Sequence, residues 1–313
     1  RFPPEELPRR HLFWREEMAD GVLGSGSEKP DDRGVEDRLD WYRHKADLMA
    51  FLGMNTFAKD LLEFGACQHW DSTLHGGNAW VYFDSITKDL WGQIVELMGN
   101  WGFSVLPYYE YSGSKGAKGL GNQRRCKPLT RDDAYSHITW VESHNADITD
   151  PDTYDDFRKM LDITVVQQRN KARFLGAWIR SRGQMPVSFG DGALERFARE
   201  ANNGQETTRG DLRKEKVLYT RYLTWWHGKR RDFFTAMRDY LRENGVDDAV
   251  LLFTGCTAEP GVSFPTWEPR MVTDSPASWQ SVLSRPEHLT GKKEVINAVR
   301  VADVAADDLY LQA

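Results

Sequence analysis

Unbroken apolar runs of strand length alternate along this chain with longer segments whose apolar positions recur every three or four residues. The clearest run opens the stretch Ala249 to Phe264, AVLLFTGCTAEPGVSF. It is too short for a helix, is bounded by Gly255, and delivers Glu259 into a Pro-Gly turn. HLFW (His11 to Trp14), MNTF (Met54 to Phe57), FSVLPYY (Phe103 to Tyr109), RFLGAWIRSRG (Arg173 to Gly183) and RMVTD (Arg270 to Asp274) read as further strands. The stretch AKDLLEFGACQHWDS after MNTF reads as a long loop carrying Asp60, Glu63, His69, Trp70 and Asp71.

Helical spacing fills the intervals. Leu39, Tyr42, Ala46, Met49 and Ala50 predict a helix over Glu36 to Phe51, and a second fits Thr87 to Met98, closed by Gly99-Asn100. Asp150-Pro151 has the form of an N-cap with proline at the first helical position, starting a helix to about Asn170. SFGDGALERFAREANNG predicts a short helix ended by Asn-Asn-Gly. Asp211 to Asn244 predicts a long aromatic-rich helical region, interrupted near Gly228, and the tail from Lys292 offers one more helix.

Strands that are apolar throughout are buried on both faces, and alternation with helices implies parallel strands joined by crossovers. The expected fold is therefore α/β, a (β/α)8 TIM barrel forming one domain over residues 1–313, with the Pro-rich residues 1–10 as an arm. About six strands are legible, which leaves the barrel two short within this chain.

Composition narrows the chemistry. A net charge of -6 gives no electrostatic reason to expect nucleic acid or an anionic membrane as a partner, and no apolar run reaches the length of a membrane span. Cys67, Cys126 and Cys256 have neither disulfide-framework nor zinc spacing. No cofactor and no metal is expected, although His69 beside Asp71 leaves a metal-assisted lyase or hydrolase as a third reading. The oligomeric state is not legible. Twelve tryptophans are many for this length, and indole faces suit the flat apolar faces of sugars.

In a barrel the strand ends converge on one face, so residues distant in sequence share a pocket. The strand-end set is Glu16 and Glu17, Asp60 and Asp71, Glu110, Arg180 and Arg182, Glu259 and Asp274. Paired carboxylates suit glycosidic bond cleavage, in which one protonates the leaving oxygen while the other attacks or activates water. Glu259 and Glu110 are the expected catalytic pair, since each leaves an apolar strand directly; Glu142, Asp274 and Glu17 are reserves. Arg180 and Arg182 alternate with Ser181, which puts both on one side, where they would favour an acidic or sulfated substrate or hold the carboxylates. Trp70, Trp140 and Trp267 lie in loops as candidates for sugar stacking. A non-catalytic carbohydrate-binding barrel is the alternative, and a saccharide partner in either case favours a secreted or periplasmic location.

Two segments carry a family resemblance. KADLMAFLGMNTF (Lys45 to Phe57) resembles the entry into the second strand of barrel glycoside hydrolases. FLGAWIRSRGQMPVSFGDGALERFARE (Phe174 to Glu200) resembles the region after the fourth strand of the family 42 β-galactosidases. That resemblance implies a TIM barrel with an Asn-Glu pair ending the fourth strand. Here those positions read Ile179-Arg180-Ser181-Arg182, so the family's acid has no counterpart there.

Overall fold

The computed structural model describes residues 11–16, 38–63, 66–67, 70–75, 90–114, 119–121, 124–129, 145–180, 187–247 and 249–254. In chain order these hold β1 (Phe13–Glu16), α1 (Arg38–Phe51), β2 (Thr56–Glu63), the short β3 (Ala66–Cys67), α2 (Leu90–Asn100) and β4 (Ser104–Tyr109). They continue with α3 (Pro151–Thr164), β5 (Arg173–Phe174), β6 (Gly176–Arg180), α4 (Asp191–Ala201), α5 (Arg209–Lys214), α6 (Lys216–Glu243) and β7 (Val250–Thr254). The sheet runs β1-β2-β4-β6-β7, with β3 added to β2 and β5 to β4. Every pairing along that path is parallel. Strand order therefore follows chain order without reversal, unlike a doubly wound sheet, whose order reverses at a switch point.

One face of this sheet is packed by helices. Phe57, Leu61, Val105, Tyr109, Ala177 and Ile179 share a buried cluster with Tyr42, Ala46 and Met49 of α1, with Trp91, Ile94, Val95 and Met98 of α2, and with Phe157 and Met160 of α3. Phe233, Phe234, Met237 and Leu241 add the inner stripe of α6. The three-to-four spacing of these positions is what lets each helix lay one stripe on the sheet, and each fully buried side chain contributes about 1.5–3 kcal/mol. Trp91 also seals a helix end. Its indole N–H donates to the Thr164 carbonyl at 2.8 Å, satisfying a backbone acceptor in the last turn of α3.

Local signals held at several boundaries. Asp150 caps α3 with φ -83° and ψ 129°, its carboxylate accepting from the Asp152 amide at 3.0 Å. Asn203 (φ 53°) and Gly204 (φ 77°) turn the chain after α4. Three expectations are corrected. β2 does not stop at Phe57 but continues to Glu63, because the Lys59 and Asp60 charges that made this stretch resemble a loop are buried within the fold. α3 ends at Thr164, and a short 3-10 turn over Val166–Gln168 follows. The helical region after Asn203 breaks at Glu215, whereas Gly228 lies inside a continuous α6. Thr208 and Asp211 form a capping box that starts α5 separately, and nothing crowds Gly228. Among the described residues no helix is long and apolar enough to cross a membrane.

α6 contains a pH-sensitive element. His227 is 7% exposed, its Nδ1 makes no hydrogen bond among the described residues, and Arg230 nearby is fully buried over the Trp226 ring. Burial first, and the Arg230 charge second, push the imidazole pKa down to about 2. The unfolded chain takes up a proton near its ordinary value of about 6.5 while the native state stays neutral, so stability is lost as pH falls below that value. The expected loss is on the order of 1 kcal/mol per pH unit. Urea unfolding at pH 6.5 and 4.5 checks this: the parent should lose more stability than His227→Gln, and equal losses would refute it.

Candidate functional site

The face of the sheet opposite the helices carries a different set of side chains. In the parallel register Arg15 is level with Ala58, Asp60 with Tyr108, Tyr108 with Trp178, and Trp178 with Leu252. Side chains alternate along a strand, so Arg15, Asp60, Tyr108 and Trp178 share the face that Phe57, Val105 and Ile179 do not occupy. Arg15 and Tyr108 each stand one residue before the C-terminal end of their strand, and Asp60 and Trp178 lie mid-strand.

These four make one continuous contact. Arg15 reaches along its strand and grips Asp60 with both arms of a fork, Nε to Oδ1 at 3.1 Å and Nη2 to Oδ2 at 2.9 Å. Its guanidinium lies 4.1 Å from the centroid of the Tyr108 ring and 5.6 Å from that of Trp178, and those two rings meet edge to face at 5.4 Å. The Asp60 side chain is 0% exposed and that of Arg15 8%. A buried ion pair survives only with good geometry, and the planar fork supplies it while the aromatic faces accept the cation.

Glu110 stands one layer further out. It follows β4 directly, has the parity of Tyr108, is 2% exposed, and its amide still donates to the Leu62 carbonyl on β2 at 2.7 Å. The residues on either side face the helices. Tyr109 Oη lies 2.5 Å from Thr164 Oγ1, and Tyr111 Oη donates to Asp156 Oδ2 at 2.6 Å. Burial raises both phenols above their ordinary pKa, Tyr109 through burial alone and Tyr111 with the Asp156 charge added, so both remain protonated donors.

The turn after Glu110 is held from the other side by Arg125. Its guanidinium donates to the carbonyls of Ser112 (2.8 Å), Leu120 (2.9 Å) and Ser114, and burial lowers its pKa. Gly113 has φ 93°, and a Cβ there would lie 2.6 Å from Arg125 Nη1 and 2.7 Å from Ala146 Cβ, so only glycine fits.

The expected site residues fall into three groups. Glu110 is placed at the strand-end face, and Arg180 ends β6 level with Thr254. Trp70 is not an open platform: it is 2% exposed in the helix-side core, its indole donating to the Leu61 carbonyl at 2.8 Å. Asp71 is half-buried beside the 3-10 turn Ser72–His75, where its carbonyl accepts the Leu74 amide. Glu17, Trp140, Glu142, Arg182, Glu259 and Asp274 lie outside the described residues, as do His69 and Trp267. Arg15, Tyr108 and Trp178 are not among the site residues expected from the sequence. The available signal was polar residues inside strand-length runs, Arg15 after HLFW and Asp60 after MNTF, together with the shared parity of Tyr108 and Glu110.

No protein-family model matches the chain, and no curated protein does. Among solved structures it is similar to a chitobiase of Flavobacterium johnsoniae, at 14% identity and a TM-score of 0.42, over 89% of this chain and 37% of that one. It is likewise similar to an alpha-galactosidase of Lactobacillus brevis, at 10% identity and a TM-score of 0.41, over 90% of this chain and 32% of that one. The chain thus spans about a third of the length of either.

Proposed function

We propose that this chain is the barrel of a glycoside hydrolase that cleaves glycosidic bonds of an oligo- or polysaccharide, with Glu110 and Glu259 as the working carboxylates. The observation that supports it is Glu110 just past the C-terminal end of β4, two residues beyond Tyr108, which is level with Asp60 of the buried Arg15–Asp60 pair. A parallel sheet of this order carries its chemistry at that edge, and a closed eight-stranded barrel is the arrangement we assign to the whole domain. Glu259 follows Thr254, the last residue of β7, by five positions in the sequence, which suits a second carboxylate on the loop after that strand. In such a pair the separation decides the outcome, about 5–5.5 Å for retention and about 6.5–9.5 Å for inversion. Arg180, the last residue of β6, and Arg182, two positions on in the sequence, would read an acidic or sulfated group on the sugar.

Purified chain screened against neutral, uronic and sulfated polysaccharides should release new reducing ends. Glu259→Gln should lower turnover by about 10²- to 10⁴-fold without moving the thermal melt. Unchanged turnover in that variant would remove Glu259 from the site. A second reading, a barrel that binds carbohydrate without cleaving it, is favoured by one feature: β6 runs into Arg180-Ser181-Arg182 with no carboxylate at its end. Saturable sugar binding with no product after long incubation would select that reading.

A further inference from the structure

Asp156 is a carboxylate in an unexpected place. It lies in the middle of α3, 6% exposed, beside Phe157 and on the stripe that packs against the sheet. An aliphatic side chain there would pack without any polar cost, and aspartate is a weak helix former. What the carboxylate does is collect donors from the turn after β4. It accepts from Tyr111 Oη at 2.6 Å, from the Ser114 amide at 3.0 Å and from the Ser114 hydroxyl. His75 closes the set from a third segment, with Nε2 3.5 Å from Asp156 Oδ1 and 2.8 Å from the Asp156 carbonyl oxygen. Three of these donors come from two residues, Tyr111 and Ser114, one and four positions beyond Glu110.

The second anchor lies on the same helix. Tyr109, the residue before Glu110, meets Thr164, and Thr164 follows Asp156 by about two turns. Phe157 fills the space between the tyrosines, its ring 6.2 Å from that of Tyr109 and 4.6 Å from that of Tyr111. Glu110 is therefore carried on a short bridge whose two ends are fastened to one rigid helix. Fully satisfied buried networks add little net stability over apolar packing, but they select one geometry, and a working carboxylate needs its geometry held closely.

We propose that Asp156, acting through Tyr111 and Ser114, is the positioning residue for Glu110. The proposal rests on the reading that Glu110 works on the substrate. Tyr111→Phe keeps the ring on Phe157 and removes only the hydroxyl; Asp156→Asn keeps the shape and removes the charge. Each should lower kcat by about 10- to 100-fold, as a displacement on the order of 1 Å does, with KM changed less than threefold. Asp150→Ala, which removes the N-cap of the same helix without touching this network, should lower the melt and leave kcat unchanged. If Asp156→Asn does not fold, Tyr111→Phe decides. Wild-type kcat in Tyr111→Phe, with Glu110→Gln inactive, would overturn the positioning role and leave the functional reading standing. Parent-like behaviour of Glu110→Gln would overturn both. A kcat loss in Asp150→Ala equal to that in Tyr111→Phe would reduce Asp156 to a contributor to helix stability and also overturn the proposal.

Discussion

Replacing Asp60 by alanine should cost about 3–5 kcal/mol of folding stability, the usual loss when one member of a buried ion pair is removed. The Asp60 side chain is 0% exposed and holds Arg15 through two hydrogen bonds, so the variant takes away the carboxylate around which the fork is built. Arg15 stays pressed against the Tyr108 and Trp178 rings, where water replaces the lost partner poorly. Against a typical total of about 5–15 kcal/mol this is a large fraction, and urea unfolding would read it directly as a lower midpoint. The double replacement Arg15→Met with Asp60→Leu should recover most of the loss, because well-packed apolar residues do at least as well as a buried pair. A stable double variant without turnover would show that the pair is kept for its place under the site. A single variant as stable as the parent would show that the Arg15–Asp60 pair does not hold the layer together.

Glu110→Gln should abolish most turnover, by about 10²- to 10⁴-fold, while the thermal melt stays close to that of the parent. The substitution preserves volume in a 2% exposed position and leaves the backbone bond to Leu62 untouched. It removes the capacity to ionise, at the cost of turning one acceptor oxygen into an amide donor, and ionisation is what a nucleophile, a base or an exchanging acid requires. The competing role for Glu110 is a fixed hydrogen-bond acceptor that holds substrate or a neighbouring phenol. In that case the amide oxygen would substitute in part, KM would rise, and kcat would fall less than tenfold. The split between kcat and KM therefore separates chemistry from holding.

Much of the architecture was legible because the signals involved are local. Asp150-Pro151 announces a helix start since the cap and the fixed proline φ act within one turn, and Asn203-Gly204 announces an end since both adopt positive φ. Apolar runs bounded by breakers marked where most of the strands lie, and Glu110 at the end of one was visible as a strand-end carboxylate. The misreadings also share a cause. Lys59 and Asp60 made β2 look like a loop because a charged residue reads as solvated, and the partner that makes Asp60 tolerable, Arg15, is 45 positions away. Trp70 looked like a loop platform because nothing near it in sequence reveals that its indole reaches the Leu61 carbonyl inside the core.

The sequence by itself determined the alternation of strands and helices, the helix start at Asp150-Pro151, the helix end at Asn203-Gly204 and the parallel sense of the main strands, which follow from period and punctuation. Only the tertiary structure decided which face each strand presents. A strand buried on both sides has no polar alternation to distinguish helix side from inner side, so parity alone is silent until register is set by neighbouring strands. That register is what puts Arg15, Asp60, Tyr108 and Trp178 into one layer, with Glu110 beyond it and Tyr109 and Tyr111 turned to α3.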